Sequence, residues 1–366
     1  MKVPFNYLPY QFKDTNFIFR EWRKLIKSCE FTIGPYVEKF ENQFAKFLGV
    51  KHCISTNNGT DALILCLKSI GISPGDEVIT VCNTFYATAS SIVSCGAKPV
   101  FVDCDERFQI NINQIKKSIT KKTKAIIPVH WGGSSPKMSK IISIAKENKL
   151  LVVEDACMGI GAEINGKKPG TFGNANAFSM HPLKTLNVIG DGGMAVTNND
   201  KIAKWMKKFR NHGMVNRDNI QLWGENMRLQ PLQAVVASHY LKTVKKIINK
   251  RNQNAKLLDE SLKELYPQVI IPNRVKNHLE AFSLYMGLFK KRNQLLKFLL
   301  KSGIDVKIHY PKPLHLQRAA KNLAYKKGSF PIAEDQANKL LTLPVHEYLT
   351  KKQINFMVDR IKSFYK

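Results

Sequence analysis

The sequence predicts an α/β protein: a large domain built on a mostly parallel β-sheet covered on both faces, and a smaller α+β domain at the C-terminal end. Three observations carry this. Short β-branched runs alternate with longer helical stretches between about residues 52 and 200. Runs such as Ile126-Ile127-Pro128-Val129 and Leu151-Val152-Val153 are apolar on successive residues, which suits strands buried on both sides. With 366 residues the chain has enough length for a sizeable core and two domains, and its texture changes after Pro267.

Taken in order, the strand candidates are 53–57, 78–82, 98–103, 124–129, 151–155, 175–180 and 193–197. Helical stretches lie between several of them, at 60–70, 85–95, 111–119 and 136–148, the first opened by Thr60 and Asp61. From about 200 to 260 the chain reads as helical and basic, with Lys201–Arg210 and Leu232–Asn254 as segments. Short strand-like pieces follow Pro267, then a helix at 291–302 and an amphipathic helix at 351–364. The boundary is expected near 245, inside a long helix, giving a large cofactor-binding domain over 1–245 and a small domain over 246–366.

Hydrophobic content of 44% and charged content of 23% are ordinary for a globular chain. The net charge of +29, from 57 Lys+Arg against 28 Asp+Glu, is not, and it favours anionic partners. The lysines are scattered, with no long basic block, aromatic-interleaved RNA motif or zinc-finger spacing, so no nucleic-acid role is expected. The seven cysteines form no C-x-x-C pair, and several sit in apolar runs, which suits free buried thiols in a reducing compartment. The N-terminal stretch MKVPFNYLPYQFKD lacks an uninterrupted apolar core and no segment approaches the length of a membrane span, so a cytoplasmic protein is expected.

In a parallel sheet, ligands collect at the carboxyl ends of the strands. Asn58-Gly59-Thr60, His130 and Asp155 fall there. Asn58-Gly59-Thr60-Asp61-Ala62 opens a helix, whose free N–H groups suit a phosphate; a plain N-cap accounts for the same residues. In Thr84-Phe85-Tyr86-Ala87-Thr88, Phe85 is placed either to stack on a flat ring or to fill the core. Asp155 ends an apolar strand, where a buried carboxylate needs a partner: a pyridinium nitrogen or backbone donors. Phe178-Ser179-Met180-His181-Pro182-Leu183-Lys184 places a lysine in a turn before Gly190-Asp191-Gly192-Gly193. A lysine and an aspartate together equip a site for pyridoxal 5′-phosphate, the lysine as Schiff-base partner and the aspartate keeping the ring nitrogen protonated. Ser179 is placed to bind the phosphate.

These motifs, in this order, resemble those of the DegT/StrS family of pyridoxal-phosphate-dependent sugar aminotransferases, from about residue 30 to 366. The resemblance also rests on Gly75–Ile79, Gly96–Asp103, Ile127–His130, Glu154-Asp155-Ala156, Arg210–Gly213, Asn226–Leu229, His309-Tyr310-Pro311, Pro313-Leu314-His315 and Phe330–Glu334. It implies a fold-type-I aminotransferase, similar to aspartate aminotransferase, with a seven-stranded sheet and a homodimer whose active sites are shared. It implies that Gly59, Thr60 and Ser179 hold the phosphate, Phe85 stacks on the ring, Asp155 pairs with the ring nitrogen and Lys184 forms the Schiff base. Asn226 is expected to reach the phosphate from the partner subunit, and His181, His212, His309 and Tyr310 to shape the sugar pocket. Met158 stands near the cofactor where the family usually has Gln or His, Thr185 where it has Asn, and Asn58 where it has Ser. Met158 offers no hydrogen-bond donor and only a weak acceptor. The expected reaction moves an amino group from L-glutamate to a keto-sugar, nucleotide-linked or phosphorylated, for surface-glycan or amino-sugar synthesis. A cofactor-binding regulator is the alternative of another class.

Overall fold

The computed structural model describes all of residues 1–366. All seven predicted strands form within a residue or two of the expected bounds: β1 His52–Thr56, β2 Glu77–Val81, β3 Lys98–Val102, β4 Thr123–Ile127, β5 Leu151–Asp155, β6 Ala175–Ser179 and β7 Gly193–Thr197. They make one sheet of order β1-β7-β6-β5-β4-β2-β3. β7 runs antiparallel to both neighbours and the other pairings are parallel. β2, β6 and β7 are buried at every position, as strands covered on two faces must be.

Among the covering helices, α1 Asn16–Ser28 and α2 Pro35–Leu48 come first, followed by α3 Gly59–Ser69, α4 Tyr86–Ser94 and α5 Ile112–Lys117. On one face Phe40 and Phe44 of α2 pack with Phe178, Met194 and Val196 of the sheet. On the other, Ala62, Leu65 and Cys66 of α3 pack with Ala175, Ala177 and Ala195, whose small side chains let the helix lie close. α3 is buried on nearly all sides, and its first turn is fixed by Asn58, whose side-chain oxygen accepts the Asp61 N–H at 2.8 Å.

Of the two basic helical segments expected after residue 200, Lys201–Arg210 forms as the helix Asp200–Phe209 and the second departs from expectation. Leu232–Asn254, read as one helix, is split into Pro231–Leu241 and Val244–Leu262. Thr243 lies in the break and its hydroxyl donates to the Tyr240 carbonyl at 2.8 Å, competing with the helix ladder. Beyond it the chain builds a second core around a three-stranded antiparallel sheet of Val269–Ile270, Tyr285–Phe289 and Leu340–Leu343. The terminal helix Lys351–Tyr365, opened by a Thr350/Gln353 capping box, covers it. Val3 pairs with Ile304 and joins this second core, so the N-terminal arm crosses from there to the large sheet. No helix is long and apolar enough to cross a membrane.

Candidate active site

A cavity of about 580 Å³ opens over the carboxyl ends of β1, β5 and β6, between the large sheet and the 283–310 region. It gathers Gly59, Thr60, Phe85, Asp155, Met158, Ser179, His181, Lys184, His309 and Tyr310. His212 and Asn226 are not among its walls. Both are exposed, and a backbone bridge joins Asn226 to Asn211, the neighbour of His212. His130, at the end of β4, is not in the cavity either. It is fully buried in a knot with Ser135 and Glu154, 2.9 Å from each.

At one end of the cavity lies the N-terminus of α3. The Gly59 and Thr60 amides have no acceptor within the chain, while those of Asp61 and Ala62 are satisfied by Asn58. Gly59 has a steric reason to be glycine: a Cβ there would meet Ser179 Cβ at 2.7 Å, Ser179 Oγ at 3.1 Å and Cys157 Sγ at 3.2 Å. Two unpaired amides, a hydroxyl and a helix N-terminus thus meet in a recess with no room for another methyl.

Asp155 is 5% exposed. Thr88 Oγ1 donates to its Oδ2 at 2.7 Å and the Cys157 N–H to its Oδ1 at 3.2 Å, with Thr84 a further 3.1 Å behind Thr88. The carboxylate is therefore aimed from behind. Lys184 enters from the loop after β6, where Leu183 adopts a left-handed conformation (φ 72°) and the Lys184 N–H bonds the His181 carbonyl at 3.1 Å. Loss of hydration pulls the Lys184 amine below the ordinary lysine value, against the opposing pull of Cys157 and Asp155. Burial, then the Asp155 charge, pushes the Cys157 thiol well up.

The opposite wall is aromatic. Phe85 lies 4.0 Å from Tyr86 and 6.0 Å from Tyr310, ring centre to centre, and Trp131 lies 5.6 Å from Tyr310. Burial, with the Lys184 and Lys307 charges, takes His309 down to about 4, so it is neutral at physiological pH; its Nδ1 lies 3.0 Å from Thr342 Oγ1. Burial and Tyr86 push Tyr310 up to about 12. Sequence reasoning missed Thr88, Cys157, Trp131 and Phe5 at this site. Thr88 carried a signal, since Thr84 and Thr88 are spaced to share a helix face beside an aromatic. Phe5 carried none.

The unpaired amides, the glycine-tight recess, the aimed carboxylate and the desolvated lysine fit the phosphate, ring nitrogen and aldehyde of pyridoxal phosphate. Fold and site together define a pyridoxal-phosphate-dependent aminotransferase of the fold-type-I class. The DegT/DnrJ/EryC1/StrS aminotransferase family matches residues 13–362. A "Pleiotropic regulatory protein" of Geobacillus stearothermophilus is 39% identical over 100% of this chain and 99% of its own. The "UDP-2-acetamido-2-deoxy-3-oxo-D-glucuronate aminotransferase" of Pseudomonas aeruginosa is 33% identical over 92% of each chain. The crystal structure of ntda from Bacillus subtilis with bound cofactor pmp superposes with a TM-score of 0.92 at 29% identity, covering 100% of this chain and 85% of that one. The chain belongs to the DegT/DnrJ/EryC1/StrS aminotransferase family, and it is a pyridoxal-phosphate-dependent sugar aminotransferase.

Proposed function

We propose that this enzyme moves an amino group from L-glutamate to a nucleotide-linked keto-sugar, in amino-sugar or surface-glycan synthesis, as a cytoplasmic homodimer with shared active sites. The observation that carries the site assignment is the convergence of Lys184, Asp155 and the two unpaired amides of Gly59 and Thr60 on one cavity. The nucleotide-linked acceptor is supported by the UDP-sugar in the name of the Pseudomonas aeruginosa relative and by the chain's net charge of +29, which favours an anionic substrate. A keto-sugar phosphate satisfies the same charge argument.

When bound, pyridoxal phosphate supplies an electron sink for the charge left on the donor carbon. The Gly59 and Thr60 amides and the Ser179 hydroxyl hold its phosphate. Phe85 would cover one ring face, and Met158, also in the cavity wall, would offer the cofactor no hydrogen-bond donor. Asp155, oriented by Thr88 and the Cys157 N–H, would pair with the ring nitrogen and favour its protonated form. Lys184 takes the α-proton from the donor and returns it at the other end of the transfer, acting as base and then acid. Its lowered pKa enlarges the free-amine fraction near neutral pH. His309, Tyr310 and His181 bound the space left for the sugar.

Asn226 and His212 belong to the partner's site in this reading. Their segment exposes Trp223 (92%), Ile220 and Val215, apolar side chains suited to burial against a second copy. The division into 1–245 and 246–366 is supported by a change of core along the helix after Thr243, where Val244 and Ile248 still pack with the large domain and Ala255, Leu258 and Leu262 join the second core, with the N-terminal arm attached to the second unit through Val3. The name of the Geobacillus stearothermophilus relative favours a second reading, a regulator that keeps the cofactor but turns nothing over.

The test is the visible absorption of the purified protein before and after L-glutamate, in the wild type and in Lys184→Ala. The enzyme reading expects a yellow protein that bleaches with glutamate. It expects Lys184→Ala to keep its fold and lose turnover; turnover retained by that variant sinks the mechanism. A yellow protein indifferent to every keto-sugar nucleotide and phosphate tried is the outcome the regulator predicts.

A further inference from the structure

The cavity has a neighbour that the proposed reaction does not use. The N-terminal arm passes over the loop that carries Lys184, and the Tyr7 hydroxyl donates to the Lys184 main-chain carbonyl at 2.7 Å. Tyr7 is 3% exposed. Its ring is fixed by three groups from the other end of the chain: the Arg251 guanidinium 5.0 Å from its centre, His346 at 5.5 Å and Tyr348 at 6.1 Å. Arg251 is itself held by Glu347 at 2.8 Å.

The Lys184 carbonyl has a second donor, Asn187 Nδ2 at 3.0 Å. That nitrogen also lies 3.0 Å from Gln11 Oε1 and 3.1 Å from Tyr7 Oη. Two hydrogens cannot serve three acceptors fully, so Tyr7 is the carbonyl's one undivided donor. The loop needs such a hold. Leu183, the preceding residue, sits at φ 72°, a conformation a non-glycine residue keeps only when its surroundings impose it.

We infer that Tyr7 is a positioning residue for Lys184: by pinning the peptide plane that follows the lysine, it sets the direction of the side chain and makes the N-terminal arm a working part of the site. The inference rests on the proposed role of Lys184. Tyr7 must keep its proton to donate, and burial raises its pKa despite the opposing Arg251 charge, so the bond persists through neutral and mildly alkaline pH. The arm thus ties the lysine loop to Arg251, His346 and Tyr348.

The test compares Tyr7→Phe with Tyr10→Ala in the cofactor-loaded enzyme. Tyr7→Phe keeps the ring and its packing and removes only the hydroxyl. Tyr10→Ala disturbs the arm at an exposed residue that stacks on Tyr348 at 5.9 Å and does not touch Lys184. The readouts are kcat and KM for the donor, and the visible circular dichroism per mole of bound cofactor, which reports how the cofactor is held. Tyr7→Phe is expected to lower kcat roughly tenfold, the scale for a slightly misplaced reacting group. KM should stay within about twofold and the dichroism should change, while Tyr10→Ala leaves all three at wild-type values. Wild-type kcat and dichroism in Tyr7→Phe overturn the inference. An equal fall in Tyr10→Ala overturns it too, because arm packing and not the hydroxyl is then responsible. If Lys184→Ala keeps turnover, the assignment beneath the inference has failed, and that result is distinct from the other two.

Discussion

Gly59→Ala tests the phosphate recess with one methyl group. Gly59 is outside the left-handed region, so alanine meets no backbone strain there. Alanine also favours a helix over glycine by up to about 1 kcal/mol, less in a first turn. Against this, the new Cβ would lie 2.7 Å from Ser179 Cβ, with Ser179 Oγ and Cys157 Sγ at 3.1 and 3.2 Å. Ser179 is on β6 and 7% exposed, so relief requires moving a buried strand or the start of α3. Overpacking of this kind costs about 1–3 kcal/mol and outweighs the helix gain, leaving a net loss of about 1–2 kcal/mol. The apoprotein Tm should fall by about 2–4 °C or less for a chain of this size. Displacing the Ser179 hydroxyl costs a charged hydrogen bond worth about 1.5–3 kcal/mol, or about ten- to hundredfold in cofactor Kd. The double variant Gly59→Ala/Ser179→Gly removes the closest clash but not the loss of the hydroxyl. Compared with Ser179→Gly alone, it should show no further fall in Tm, and its cofactor binding should stay weak. Thermal unfolding of the apoprotein and a cofactor titration measure both. A Gly59→Ala protein with wild-type Tm and Kd refutes the recess.

Thr88→Val keeps the shape of the side chain and removes the donor 2.7 Å from Asp155 Oδ2. It should lower kcat about tenfold or more, at about 1.5–3 kcal/mol for a hydrogen bond to a charged group; steady-state rates at wild-type level count against Asp155 being aimed in this way. Acid should destabilise the protein through His346, 4% exposed and held by burial at about 4. Below the ordinary value of about 6.5 the unfolded chain binds a proton that the folded chain refuses, so this stability is complete above 6.5 and is lost as pH falls toward 4. At about 1.4 kcal/mol per pH unit the gap is worth about 3 kcal/mol. Urea midpoints across that range should fall more steeply for wild type than for His346→Gln, and parallel slopes would remove His346 from the account.

What the sequence made legible was local. The strand candidates carry their own burial pattern, as in the unbroken apolar side chains of Leu151-Val152-Val153, and Asn58 announces the start of α3 one residue ahead of it. Lys184 and Asp155 were singled out by residue type and setting, and the structure brings both to one cavity. The illegible parts are those made by distance. Tyr7 and Lys184 are 177 positions apart, and Thr88 and Asp155 are 67 apart. No periodicity reports such pairings, which depend on where α4 and the N-terminal arm come to lie. The break at Thr243 was missed for a different reason. Threonine is neutral enough in a helical pattern to pass unnoticed, and only its bond to the Tyr240 carbonyl shows the ladder giving way.

The electrostatics around Lys184 suit both tasks an aminotransferase sets it, joining the cofactor's aldehyde and moving a proton. Retention needs a phosphate recess and a wall for the ring, and the Gly59, Thr60, Ser179 and Phe85 cluster provides both. Proton transfer needs more: an amine free of a permanent anionic partner. Two side chains near Lys184 are candidate anions, Cys157 and Asp155. Burial, with the Asp155 charge next, keeps the Cys157 thiol protonated, so it cannot hold the lysine as an ion pair. Asp155 has its two oxygens engaged by Thr88 and the Cys157 N–H, donors that fix it in place independently of the lysine. Desolvation therefore wins at Lys184 and its pKa moves down. That direction serves Lys184 twice: the neutral amine is the form that joins an aldehyde, and it is the form that works as a general base near neutral pH.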